Sequence, residues 1–282
     1  MPSPSPDAAR LASVYRPRLP ETAARQRAGD RLGKGTGASL EFQDRRAYAP
    51  GDDVRHLDWR AYARTDQLFV RLYREEVQPR VEILLDASRS MDVEGAKARL
   101  ALDLAALLTL AAREENLAVR VLLLGDRARV LEPETFRDRG VDFGGARPLG
   151  ESVEEAAGLV RSGAIRFLVS DFLSPHEAPS LVRALGARAG ALALVQVLGE
   201  GDREPPEGSA LRLTDAETGG TIDLVLDTRT VRAYRDRLAR LTGALETECR
   251  RVGAAFVSVA TSESLDSVCR DRLVPAGVLE PR

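Results

Sequence analysis

Mostly apolar residues fall in short runs along the last two-thirds of the chain. Val81–Leu85, Val119–Leu124, Ile165–Ser170, Leu192–Leu198 and Ala255–Val259 are each bounded by polar residues. Runs of this length without alternation suit strands buried on both faces. Between them the period changes. Leu100, Leu104, Leu107, Leu108 and Ala111 share one face of a helix. Ser174-Pro175 has the residues that cap and open a helix, and helical patterns also cover about 228–252 and 265–272. Ala128–Leu131 reads as a short edge strand. Strands alternating with helices predict an α/β fold with a mostly parallel sheet and helices on both faces. A β-hairpin about residues 209–226, turning near Thr218-Gly219-Gly220, interrupts that alternation.

The first third lacks this pattern. Residues 1–32 open on Met1-Pro-Ser-Pro-Ser-Pro and carry mostly basic charges, which predicts a flexible arm. Residues 33–78 form a second, β-rich unit. Gly33-Lys-Gly-Thr-Gly37 follows no strand and lacks Gly-Lys-Ser/Thr, so it reads as a turn rather than a phosphate loop. Pro50-Gly51-Asp52 marks another turn, and Leu68–Tyr73 a strand. Charges from Asp44 to Arg80 balance, which points to ion pairs and docking rather than to a nucleic-acid patch. Trp59, the sole tryptophan, reads as an anchor for packing. Residues 79–282 make the α/β domain.

Composition narrows the class only a little. The chain has 282 residues, 44% hydrophobic content and a formal net charge of −2, enough for a sizeable core and neutral as to partners. Its basic residues are arginines apart from Lys34 and Lys97. Cys249 and Cys269 lack metal-type spacing and read as buried free thiols of a reducing compartment. The N-terminus has no signal-type apolar core and no run reaches membrane-spanning length, so a cytoplasmic location is expected.

The chemistry-bearing stretch follows the first buried run. Asp86-Ala-Ser88-Arg-Ser90 puts a carboxylate and two hydroxyls at alternate positions on one turn, at the strand end where open α/β sheets bind ligands. Three hard oxygens so placed suit Mg²⁺ or another divalent cation. These residues resemble the D-x-S-x-S signature of the metal-ion-dependent adhesion site of von Willebrand factor A domains. The resemblance implies a von Willebrand A-like fold, a third-loop aspartate at Asp171, and a metal-binding threonine in the second loop. That loop reads Gly144-Gly145-Ala146-Arg147-Pro148-Leu149-Gly150, with Arg147 at the position of the threonine. Arg147 is therefore expected to set its guanidinium in place of the cation and to pair with Asp86 or Asp171. Ser152 is the nearest hydroxyl and reads as a helix N-cap with Glu155 at the capping-box spacing. His176 lies in the loop after Asp171.

A longer signature lies upstream. R-x-Y-x-P-G-D-D-V-R-x-x-D-W-R-x-x-A-R, from Arg46 to Arg64, resembles the bacterial family called domain of unknown function 58, in which it precedes a von Willebrand A-like domain. That resemblance implies work beside a MoxR-type AAA+ ATPase. The expected function is a non-enzymatic interaction module or adaptor. Its site would hold Asp86, Ser88, Ser90 and Asp171, with Arg147, Ser152, His176 and Trp59 as partner contacts. The alternative is a metal-dependent phosphoryl-transfer enzyme of the haloacid-dehalogenase kind. That chemistry wants a carboxylate where Ser88 stands and a lysine in a later loop, beyond Lys97. His56 and His176 follow no G-x-S-x-G turn and make no hydrolase triad.

Overall fold

The five apolar runs build one sheet. The computed structural model describes residues 4–20, 41–49, 52, 57–74, 79–93, 95–131, 140–208, 210–214 and 219–282. In chain order the first elements are helix α1 (Pro6–Ala12), strands β1 (Tyr15–Pro17) and β2 (Glu41–Ala47), helix α2 (Trp59–Thr65) and strand β3 (Phe69–Arg74). Then come β4 (Arg80–Asp86), α3 (Ala96–Glu114), β5 (Ala118–Leu124), β6 (Ala128–Leu131), α4 (Leu149–Ala157), β7 (Ile165–Ser170) and α5 (Ala178–Gly186). The last are β8 (Ala191–Leu198), β9 (Ala210–Thr214), β10 (Thr221–Val225), α6 (Thr228–Arg251), β11 (Ala255–Ala260) and β12 (Leu279–Pro281). One-turn helices at Glu200–Arg203 and Leu265–Ser267 stay unnumbered, the second running into a π-helical Val268–Leu273.

The chain divides into two units, residues 1–20 with 79–282, and residues 21–78. In the larger unit the strand order is β11-β8-β7-β4-β5-β6, parallel except for the antiparallel edge strand β6. This is the α/β architecture that the alternation predicts. Side chains of β4 point to two cores. Val81, Ile83 and Leu85 pack towards α3, whereas Leu84 packs towards α4 and α5. The same strand carries Glu82, fully buried and bonded to Arg120 Nη1 at 2.8 Å. Arg166 of β7 is equally buried, with Nε 3.5 Å from Glu82.

From β4 the chain runs to β5 and β6 on one side, then returns to β7 on the other. The order therefore reverses between β4 and β7. In open α/β sheets such a switch point leaves a crevice beyond the strand ends, because the flanking loops diverge. The ends that meet there are Asp86 and Ser170-Asp171.

Two expectations need correction here. Residues 4–20 are no loose arm. Ala8, Leu11 and Ala12 of α1 are buried against α3, and β1 pairs antiparallel with β12. The Pro-Ser composition masks these few apolar positions, whereas α3, apolar nearly all round, requires a cover on its outer face. Residues 21–32 and the 33–37 glycine stretch lie outside the described residues. Helix starts also differ. The helix after Asp171 begins at Ala178 and not at Ser174-Pro175, and Ser152 lies inside α4, which starts at Leu149.

The smaller unit pairs β2 with β3 around α2, a helix that its sequence pattern does not announce. Two signature residues have visible local work. Asp52 takes both terminal nitrogens of Arg46, at 2.7 and 2.6 Å, and Asp58 caps α2 by accepting from the amides of Arg60 and Ala61. Trp59 does not anchor packing in its unit. It is 62% exposed, with its ring edge-on to Tyr62 one turn later. The predicted hairpin is present as β9–β10.

Candidate functional site

Asp86 ends β4 and is buried. Its Oδ1 accepts from the Ser88 amide at 2.9 Å, and its Oδ2 accepts from the Ser170 hydroxyl at 2.6 Å. Ser170 in turn accepts from the Phe172 amide at 2.9 Å. Burial, then the neighbouring Asp171, pushes Asp86 up to about 6 from an ordinary 3.8, while the serine bonds pull the other way. Ser88 is buried and its hydroxyl lies 3.0 Å from that of the more exposed Ser90.

Asp171 follows β7 and is fully buried. Oδ1 accepts from the Leu173 amide at 2.9 Å, and Oδ2 accepts from the ammonium of Lys97 at 2.9 Å. Lys97 comes from the first turn of α3, is itself buried, and also meets Asp202 Oδ2 at 3.0 Å. Burial works against the ammonium charge, but Asp171 and Asp202 outweigh it and the pKa is raised. The next residue, Phe172, sits buried at φ 58, a conformation costly for a large side chain and held by its surroundings. Asp202 caps its own short helix through the Gly199 amide, and its carbonyl accepts from the Tyr234 hydroxyl of α6 at 2.8 Å. Burial, then Asp202, pushes that phenol up to about 12, so it stays a donor.

The second loop closes on the first. Gly145 bridges to Ser88, with its amide on the Ala87 carbonyl at 3.1 Å and the Arg89 amide on its own carbonyl at 2.9 Å. A Cβ at Gly145 would stand 2.8 Å from the Gly125 Cα, so only glycine fits this approach. Arg147 does not enter the site. Its guanidinium pairs with Glu151 at 3.2 Å and with Glu155, both on α4. A carboxylate four residues on, in the first turn of the helix that follows, is a nearer and cheaper partner than a buried aspartate. Ser152 donates to the Gly125 carbonyl at 3.0 Å and caps nothing, while the Leu149 amide goes to the Ser174 hydroxyl. His176 donates from Nδ1 to the Ser174 carbonyl, with its ring edge to Phe172.

The structure thus brings together Asp86, Ser88, Ser90 and Asp171, and leaves Arg147, Ser152 and His176 on other duties. Sequence reasoning missed Lys97, Ser170 and Asp202. One signal for Lys97 was available, since it is one of two lysines in a chain that otherwise uses arginine. These residues do not fit a divalent cation. The second loop carries Arg147 where a threonine ligand would stand and turns Ser152 to the Gly125 carbonyl, and an ammonium already faces Asp171, where it would repel a metal ion. Among the described residues no three His, Cys, Asp or Glu side chains gather as a metal cluster. The two cysteines are free and buried, as expected. Burial, then a nearby carboxylate, pushes Cys249 to about 11 and Cys269 to about 12. No helix among the described residues is long and apolar enough to cross a membrane.

Residues 44–244 match the family described as "Protein of unknown function DUF58", a span that includes the Arg46–Arg64 signature and every residue of the site. Uncharacterized proteins of Mycobacterium bovis and Mycobacterium tuberculosis are 30% identical to this chain over 253 residues, covering 83% of it and 78% of their own length. Among solved structures, the conserved hypothetical protein BatB from Bacteroides thetaiotaomicron overlaps 70% of this chain and 98% of its own, with 16% identity and a TM-score of 0.37. An aerotolerance-related membrane protein from Bacteroides fragilis overlaps 62% of this chain and 98% of its own, with 15% identity and a TM-score of 0.33.

Proposed function

This chain belongs to the DUF58 family of proteins of unknown function, and from that premise we propose that it is a non-enzymatic docking module that binds a partner at the switch point of its sheet. One observation carries the reading. Every oxygen of Asp86 and Asp171 is committed to a bond inside the protein, to the Ser88 amide, the Ser170 hydroxyl, the Leu173 amide and the Lys97 ammonium. A carboxylate held in this way shapes a surface; it is poorly placed to attack a substrate or take its proton. The phosphoryl-transfer alternative needs Asp86 free as nucleophile and an acid where Ser88 stands.

The site is adhesion-like in the von Willebrand A sense, with the ammonium of Lys97 in the electrostatic role of magnesium. Ser90 and the Gly144-Gly145 loop form its outer lip. The partner proposed from the Arg46–Arg64 signature is a MoxR-type AAA+ ATPase, met in the cytoplasm. The test is co-elution of the full chain with the purified MoxR-type ATPase of the same host, in EDTA, beside a Ser90→Arg variant. The reading expects a complex with the native chain and none with the variant. An unchanged complex with Ser90→Arg would move docking away from this site. Phosphatase activity abolished by Asp86→Asn would restore the enzyme reading.

A further inference from the structure

Helix α6 carries a second feature that the switch-point site does not use. Its inward stripe is thin, with only Val231, Leu245 and Cys249 buried. Away from that stripe, at spacings of three, five and three, stand Arg229, Arg232, Arg237 and Arg240, all exposed, with Arg235 at their flank; Arg237 also lines the cleft between α6, α4 and α5 that Glu151, Glu154 and Glu177 line. Among the other exposed helical arginines, Arg99 of α3 and Arg183 of α5 have no ion pair among the described residues, whereas others are neutralised locally. Arg250 meets Glu246 at 2.8 Å, Arg251 meets Glu248 at 2.7 Å and Arg270 meets Asp266 at 3.0 Å, each three or four residues away. Among the described residues, no ion pair reaches Arg232, Arg235, Arg237 or Arg240, although Asp236 is four residues from both Arg232 and Arg240.

The helix also places these cations against its own field. The first turn contains no acid, and Arg229 and Arg232 stand near the positive end of the macrodipole. Like charges three residues apart repel. The hairpin that leads into α6 exposes Ile222 (59%) and Val225 (62%). Tyr234 fixes the helix to the Asp202 loop, so the platform is held on the α/β unit.

We propose that the first three turns of α6 and the adjoining hairpin edge form a docking surface for an acidic protein segment with interspersed apolar residues. Guanidinium groups fork onto carboxylates, and the apolar hairpin positions would bury aliphatic side chains beside them. A nucleic acid fits less well. Asp236 lies in the middle of the arginine face, and the one nearby aromatic, Tyr234, has its hydroxyl tied down and offers no stacking platform. A membrane surface fits less well again, since two exposed aliphatic residues give little to insert.

The test uses the full chain and a short fluorescent peptide of alternating Glu and Leu, followed by anisotropy at low salt. The native protein should bind it, with affinity falling as salt rises. Arg232→Glu/Arg237→Glu/Arg240→Glu should weaken binding by roughly tenfold or more while melting at the same or a higher temperature, because repulsion within the helix is relieved. The same three positions changed to Gln serve as a milder set and should weaken binding in the same direction. Equal binding by native and variant proteins, or none by either, would overturn the proposal. Tighter binding of a single-stranded oligonucleotide or of phosphatidylglycerol vesicles than of the peptide would overturn it too, in favour of those partners.

Discussion

The ammonium of Lys97 lies 2.9 Å from Asp171 Oδ2, across 74 positions of sequence, and joins helix α3 to the end of β7 where the sheet changes direction. Two buried carboxylates at one place repel unless a proton or a positive charge beside one of them offsets it, and here the ammonium sits on Asp171 and not on Asp86. The protein supplies that charge from the side chain of Lys97, and Asp202, also bonded to the ammonium, ties in the loop after β8.

Removing Lys97 leaves Asp171 buried without its ion-pair partner. Lys97→Met should therefore cost about 3–5 kcal/mol of stability, the range for breaking one side of a buried pair. Urea unfolding at neutral pH measures this. A loss below about 1 kcal/mol, the value of an exposed pair, would mean that the pair is solvated in solution.

Asp86 gives the pH dependence. Its folded pKa of about 6 lies above the ordinary 3.8, so the folded state holds the proton more tightly than the unfolded chain. The stability that this group contributes is fully present below about pH 4 and is lost as pH rises through about 6, a change on the order of 3 kcal/mol. Asp86→Asn, whose Oδ1 still accepts from the Ser88 amide while its Nδ2 donates to the Ser170 hydroxyl in a reversed bond, should remove this slope and be more stable than the native protein above pH 7. Unfolding midpoints of both proteins across pH 4–8 give the difference directly. A parallel pH dependence in the two would assign the slope to other groups.

Glu82 and Arg166 form the second buried charge centre, at the opposite end of β4. Glu82 accepts twice from the Arg161 amide, and Arg166 Nε has no hydrogen-bond partner beyond the carboxylate 3.5 Å away. Glu82→Ala should cost about 3–5 kcal/mol, because it leaves a guanidinium uncompensated in the core. Combining it with Arg166→Met should recover part of that loss. A double variant as unstable as the sum of both singles would show that the two residues do not couple.

Gly145 tests the seam between the two loops. Gly145→Ala puts a methyl group into the Gly125 backbone and should cost about 1–3 kcal/mol through forced displacement. It should also weaken partner docking, because the displaced loop is bonded to Ser88 and Arg89.

How much of this was legible depended on range. Buried strands were readable because their short runs are mostly apolar, and Asp86 and Asp171 because each directly follows such a run. The Arg147–Glu151 pair was equally local, four residues apart, yet the resemblance to a metal site drew attention to a distant partner instead. Lys97 was hidden for the opposite reason. It sits among alanines and leucines at the start of a helix, and nothing near it in sequence says that its ammonium ends beside Asp171. The burial of residues 4–20 was written less in those residues than in α3, where Leu102, Ala105 and Ala106 make the outer face apolar and demand a cover.

The central claim is that Lys97 does the work of a cation at the strand ends. Calorimetric titration of Mn²⁺ into the native chain and into Lys97→Ala tests it most directly. The account predicts no saturable binding by the native protein, and binding by Lys97→Ala that disappears when Asp86→Asn is added. Stoichiometric Mn²⁺ binding by the native protein, lost in Asp86→Asn, would contradict it.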